Sequence, residues 1–231
     1  MHQYPKFCQS SSEYTQNNVH NIQKGLRYST IIREEAKVIS EEGSCCMVLQ
    51  EIGFQDAAGH GKINFERIMV NEMGQESIRL SYLEKNSQGL YQTVSRPLEA
   101  VEDDIFEIIK KGIESRVISP VLQAGLKTVI RNTVVQPVPW KPIRTAQYCD
   151  IYARGEVLAC GHTISMERIF IKGLNVFNIR LAVYRKNPNG FWAMVLSPVS
   201  MSEEEFLYLF QDSMKKGVFS KVFVIASLSL L

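Results

Sequence analysis

Cysteine is scarce in this chain of 231 residues, and its number is odd. Five thiols, Cys8, Cys45, Cys46, Cys149 and Cys160, do not make a disulfide scaffold, and reduced side chains are expected. Long apolar runs are missing too. The C-terminal stretch Val222 to Leu231 is broken by Ser227 and Ser229 and falls well short of the ~18 residues of a membrane span. Met1 to Asn18 is polar and offers no apolar segment of the secretory type, so an intracellular protein is expected. Neither sign of charge dominates: 26 Lys and Arg face 24 Asp and Glu, a formal net charge of +2. The chain is therefore not a generally basic nucleic-acid binder, and any polyanion site has to be local. No Walker loop, GxGxxG, HExxH or GxSxG occurs, so the usual nucleotide, zinc-protease and serine-hydrolase chemistries have no motif to stand on. What remains is the composition of an ordinary globular protein, 45% hydrophobic and 22% charged.

The near-neutral total conceals an uneven layout. Residues 44–116 hold 8 basic and 12 acidic side chains, a difference of −4. Residues 117–145 hold only the cations Lys127, Arg131, Lys141 and Arg144. Residues 146–219 hold 8 basic and 7 acidic side chains, a difference of +1.

Shifting the chain by 101 residues superimposes it on itself. Glu66-Arg67-Ile68 meets Glu167-Arg168-Ile169, and Ile78-Arg79-Leu80 meets Ile179-Arg180-Leu181. Lys85, Asn86, Gly89, Val94, Pro97 and Glu102 meet identical residues in the second half, giving 12 identities over the 41 positions from Glu66 to Phe106. Gapped matches extend this to Gly59-His60 with Gly161-His162 and to Lys110-Lys111-Gly112 with Lys215-Lys216-Gly217. Two copies of one unit are expected, too few and too long for a solenoid.

Each copy has the period of a half-buried sheet. Ile179, Leu181 and Val183 alternate with Arg180, Ala182, Tyr184 and Lys186, as Ile78, Leu80 and Tyr82 do with Arg79, Ser81, Leu83 and Lys85. Asn187 to Gly190 and Asn86 to Gly89 predict hairpin turns into the next strands. Strands are also expected at 46–52 and 63–70, and at 149–158 and 164–171. Ser202 followed by Glu203, Glu204 and Glu205 predicts a capped helix with Phe206, Leu207, Phe210 and Met214 on one face. Its counterpart carries Ile105, Ile108, Ile109 and Ile113. The unit reads β-β-β-β-α, an α+β fold with a helix on one sheet face and the other face open. Lys221 to Leu231 reads as an added extended segment, and Ser29 to Ser40 as a docking helix.

An open face bearing Arg180, Tyr184, Lys186, Arg79 and Lys85 mixes cations with rings. Cations neutralise phosphates and rings stack on unpaired bases, at about 1–3 kcal/mol per base. Other candidates for chemistry are thin. Cys45 and Cys46 are adjacent and lack zinc-site spacing, Cys160-Gly161-His162 has no orienting acid nearby, and the recurrence of His60 as His162 points to a shared turn role. The triplets at 102–104 and 203–205 are explained by the helix macrodipole.

The runs Ile164 to Ile171, Asn178 to Arg185 and Val195 to Phe206 resemble the single-strand-binding unit of the positive-cofactor-four transcriptional coactivators. In layout the unit is also similar to the Whirly and Pur-alpha families. Arg168, Arg180, Arg185 and Phe206 occupy places comparable to that family's basic and aromatic positions. The resemblance covers about two thirds of the chain. It implies a non-catalytic protein that binds single-stranded nucleic acid, DNA more than RNA, in transcription or genome maintenance in the nucleus, with transcription or repair proteins as partners and self-association. It also implies paired units, here an intramolecular pseudo-dimer. Where the family's central turn is rich in Lys and Gly, the second copy has Lys172 to Phe177, while the first has Glu72 and Glu76, and Glu84 replaces the cation of Arg185. Carboxylates repel phosphate, so the second copy is expected to bind.

The resulting expectation divides the chain into a polar arm (1–43), a first unit (44–118), a basic, Pro-containing linker (119–145) and a second unit with its extension (146–231). The nucleic-acid contacts are expected from Arg168, Lys172, Phe177, Arg180, Tyr184, Arg185 and Lys186, with Arg79, Lys85, Lys141 and Arg144. Trp140 is expected to pack on the chain's own core. No metal, cofactor or membrane is expected. The alternative is a protein-interaction scaffold that keeps the fold without binding nucleic acid.

Overall fold

Among the described residues, strand periodicity and turn chemistry produce two antiparallel sheets, and four helices, three of them with serine N-caps, complete an α+β architecture. The computed structural model describes residues 37–41, 44–55, 61–70, 74–94, 97–159, 161–195 and 198–231, with side chains from residue 46 onward. The first half runs β1 (Lys37–Glu41), β2 (Ser44–Gln55), β3 (Gly61–Val70), β4 (Gln75–Lys85), β5 (Tyr91–Thr93), β6 (Leu98–Ala100), α1 (Glu102–Glu114) and α2 (Pro120–Asn132). The second half runs β7 (Arg144–Thr145), β8 (Cys149–Ala159), β9 (His162–Ile171), β10 (Val176–Lys186), β11 (Trp192–Val195), β12 (Val199–Met201), α3 (Glu203–Lys216) and α4 (Lys221–Leu230).

One sheet is ordered β1-β2-β3-β4-β12, with β5 also on β4. The other is ordered β11-β10-β9-β8-β7, with β6 also on β10. Two of the three-residue strands, β6 and β12, therefore cross over. Val199, Ser200 and Met201 pair with Leu80, Arg79 and Ile78, while Leu98, Glu99 and Ala100 pair with Leu181, Arg180 and Ile179. Positions 101 apart thus make the same pairing in opposite sheets.

Helix ends follow the sequence closely. Ser202 and Glu205 form a capping box on α3, and Gly217 closes that helix in the left-handed region (φ 75°). Ser119 and Ser220 cap α2 and α4 by accepting from Leu122 N and Phe223 N. Both sheets and all four helices bury their apolar faces in one core, which includes Phe65, Leu80, Leu181, Leu126, Phe210 and Phe223. Within it lies an apolar cavity of about 40 Å³, far below ligand size.

Several expectations are corrected. The segment 119–145, expected as a linker, holds helix α2 over residues 120–132, because Ser119 caps and Pro120 fits the first turn. Lys221–Leu230 is helix α4 rather than a strand, since the cap at Ser220 outweighs its β-branched composition. Residues 37–40, placed in a docking helix, belong to strand β1 (Lys37–Glu41) on β2. The rest of that helix and arm, with Cys8, His60 and Cys160, lies outside the described residues. Trp140 does not pack inward. It is 80% exposed, with the Lys141 ammonium 4.1 Å from its ring centroid.

Candidate nucleic-acid interface

The sheet face away from the helices is not an open cationic surface. Arg180, 6% exposed, binds Glu167 through Nε (2.7 Å) and Nη2 (2.6 Å) and donates to Cys149 Sγ at 3.5 Å. Tyr184 is equally buried. Its hydroxyl donates to Glu167 Oε1 at 3.0 Å, and the Arg154 guanidinium lies 4.4 Å from its ring. Tyr184 sits opposite Thr163, and its hydroxyl reaches Glu167, four residues further along β9 on the same face. Long side chains lying down, rather than a helix, cover this face. Arg79 repeats the arrangement in the first half, with Nε on Glu66 at 2.7 Å and Nη1 on Cys46 Sγ at 3.5 Å. The expectation that Arg180, Tyr184 and Arg79 meet phosphate or base is therefore corrected: their hydrogen-bonding capacity is taken up within the protein. Around Arg180 two guanidinium groups, Arg154 and Arg180, face three carboxylates, Glu99, Glu156 and Glu167.

Burial and neighbouring charge together set the titration of Tyr184, Cys149 and Arg180. For Tyr184 burial acts first. It pushes the Tyr184 phenol up to about 12, helped by the Glu167 carboxylate. Burial likewise raises the Cys149 thiol, with Arg180 opposing it. For Arg180 burial works against the charge, but Glu167 and its neighbours outweigh it and hold the guanidinium protonated above its usual range.

A different group of expected residues comes together at the far end of β10, on the helix-side face beyond the helices. Phe177 is 40% exposed. Its ring meets Tyr152 edge-on at 5.1 Å and Phe170 at 5.0 Å between centroids, and the Arg168 guanidinium lies 5.3 Å away. Phe170 and Phe177 are direct cross-strand partners, and Tyr152 is delivered by the β-bulge between Ile151 and Ala153. Arg168 is anchored by Glu102 Oε1 at 2.9 Å and by the Val218 carbonyl at 3.1 Å. Lys172 borders the cluster, 3.1 Å from Asp150 and donating to the Ala146 carbonyl at 2.7 Å. In the first half the bulge brings Leu49, and the paired positions carry Met69 and Glu76, so no ring platform forms there. Instead Arg67 binds Glu76 at 3.3 Å.

The remaining expected residues are exposed but separate. Lys85 lies over Tyr91 and Lys186 over Trp192, each 5.4 Å from the ring centroid. Arg185 donates through Nε to His162 Nε2 at 2.8 Å. Arg144, on the short edge strand β7, is solvent-facing, as is Lys141. Sequence reasoning overlooked Tyr152 and Phe170. The pairing of Phe170 with Phe177 across the Lys172–Asn175 turn was visible in principle, but the bulge that adds Tyr152 was not. Among the described residues no group of His, Cys, Asp and Glu could hold a metal ion, and no helix is long and apolar enough to cross a membrane. The chain matches no protein-family model and no curated protein.

Proposed function

We propose that this is a non-catalytic, single-stranded nucleic-acid-binding protein, preferring DNA, that contacts its ligand through the ring platform of the second half. The observation that carries the reading is Phe177: a phenyl ring held part-way out of the surface by Tyr152 and Phe170, with a guanidinium against it. Such a ring presents a π-face to an unpaired base, and Lys172 stands beside it for a phosphate. The two halves are copies of one unit joined as an intramolecular pseudo-dimer. In support, β6 and β12 exchange sheets in matching register, and Arg79–Glu66 and Arg180–Glu167 are made at the same 2.7 Å. The first half, lacking the rings, completes the fold.

The scaffold reading keeps one observation in its favour. Lys172 and Arg168 are each paired with a carboxylate, which blunts local charge. Fluorescence anisotropy with a labelled oligo(dT) of about 20 nucleotides separates the two, at low and moderate salt. Phe177→Ala is expected to weaken binding by roughly five- to hundredfold, as the loss of one stacked base implies. No binding at micromolar protein refutes the reading and leaves the scaffold.

A further inference from the structure

The two hairpin tips share a construction that the platform does not use. In the β4–β5 hairpin the Asn86 side chain accepts from Gln88 N (2.9 Å) and Leu90 N (3.0 Å), and Gly89 turns the chain at φ 77°. In the β10–β11 hairpin Asn187 accepts from Phe191 N at 2.9 Å, and Gly190 turns at φ 80°. Each turn is thus built to hold the next residue rigidly, and that residue is large and apolar: Leu90 in one, Phe191, 71% exposed, in the other. An aromatic follows at once, Tyr91 or Trp192, with a lysine over its face.

The tips differ in charge. Residues 82–94 contain Glu84 beside Lys85, whereas residues 183–195 contain Arg185 and Lys186 and no carboxylate. Two cations beside two exposed rings complement a polyanion that carries flat apolar faces. We propose that the β10–β11 hairpin is a second contact for single-stranded nucleic acid, with Phe191 and Trp192 stacking on bases and Arg185 and Lys186 against phosphates. This rests on the function proposed above. Phe177 and Lys186 are nine residues apart on one strand, so the two contacts lie about 30 Å apart along it. A short oligonucleotide reaches one contact; a long one reaches both.

Trp140 and Trp192 are the only tryptophans, so Trp140→Phe leaves Trp192 as the sole indole reporter. In that background an oligo(dT) of about 20 nucleotides is expected to quench Trp192 emission. Giving the second hairpin its first-half residues (Arg185→Glu, Phe191→Leu, Trp192→Tyr) preserves a turn that those residues already support. This variant is expected to lose roughly five- to hundredfold in affinity for the 20-mer and much less for an oligomer of about 4 nucleotides. Undiminished 20-mer binding by this variant, together with unchanged Trp192 emission when the 20-mer is added to Trp140→Phe, overturns the proposal, while a continuing effect of Phe177→Ala would show that the platform still binds. If quenching comes from anionic phospholipid vesicles and not from the oligonucleotide, the hairpin belongs to a membrane surface and the proposal fails. Absence of all oligonucleotide binding removes the function proposed above and this contact with it.

Discussion

Removing Arg180 should unmask the cost of the buried carboxylate beneath it. Its guanidinium is 2.6–2.7 Å from Glu167, with side-chain exposures of 7% and 0%. At an effective dielectric constant near 20, a unit charge pair about 4 Å apart interacts by about 4 kcal/mol. In Arg180→Met the Glu167 carboxylate keeps the Tyr184 hydroxyl at 3.0 Å and Arg154 at 3.6 Å, so part of its charge stays compensated. Breaking a buried pair typically costs about 3–5 kcal/mol, and these surviving partners place the loss at about 3 kcal/mol. For a chain of this size that is a fall in Tm of about 6–12 °C. The double variant Arg180→Met with Glu167→Leu removes both charges, and should be no less stable than the single variant because no buried charge is left behind. Urea unfolding followed by circular dichroism gives the four corners of the cycle. A loss below about 1 kcal/mol in Arg180→Met, or a double variant worse than the single by the full cost of a second deletion, would refute the reasoning.

Gly155→Ala should destabilise by about 1–3 kcal/mol in the same urea assay, because a Cβ there would sit 2.5 Å from Ser213 N on α3, where backbone cannot yield; an unchanged midpoint would contradict this. Arg116 holds φ 61° at the end of α1, where Gly217 serves α3, so Arg116→Gly should raise Tm slightly, by the order of ~1 kcal/mol of stability, and a lower Tm would count against the strain. Ultraviolet difference titration should find one phenol titrating near 12 that disappears in Tyr184→Phe. An acid whose folded value is raised keeps its stabilisation below the unfolded value near 10 and loses it as pH climbs to about 12, so Tyr184→Phe should flatten the fall in stability across that window, while at neutral pH the variant should be less stable by about 1.5–3 kcal/mol for the lost hydrogen bond to Glu167.

Much of the fold was legible because local signals were repeated. The strands β3, β4, β9 and β10, both Asn-to-Gly hairpins and the α3 capping box can be read from alternation, turn residues and caps. Helices α2 and α4 were legible too, had Ser119-Pro120 and Ser220 been weighed as caps above the linker and strand composition around them. The ion pairs also left a trace: Glu66 and Arg79 in the first half, like Glu167 and Arg180 in the second, stand thirteen residues apart across a turn, the spacing that places them opposite each other.

From the chain alone came the two-sided strands, the turns and caps, and the recurrence at 101 residues, all properties of neighbours in sequence. Alternation assigns Arg180 to a face but does not state what lies across it. Only the assembled sheet supplied Glu167, Tyr184 and Arg154 as its company and turned an expected contact into an interior ion pair. The same holds for β6 and β12, whose three residues carry too little pattern to choose a partner strand; long-range pairing, and the common core it closes, made that choice. The ring platform likewise exists because a bulge and a cross-strand register bring Tyr152, Phe170 and Phe177 together from three strands.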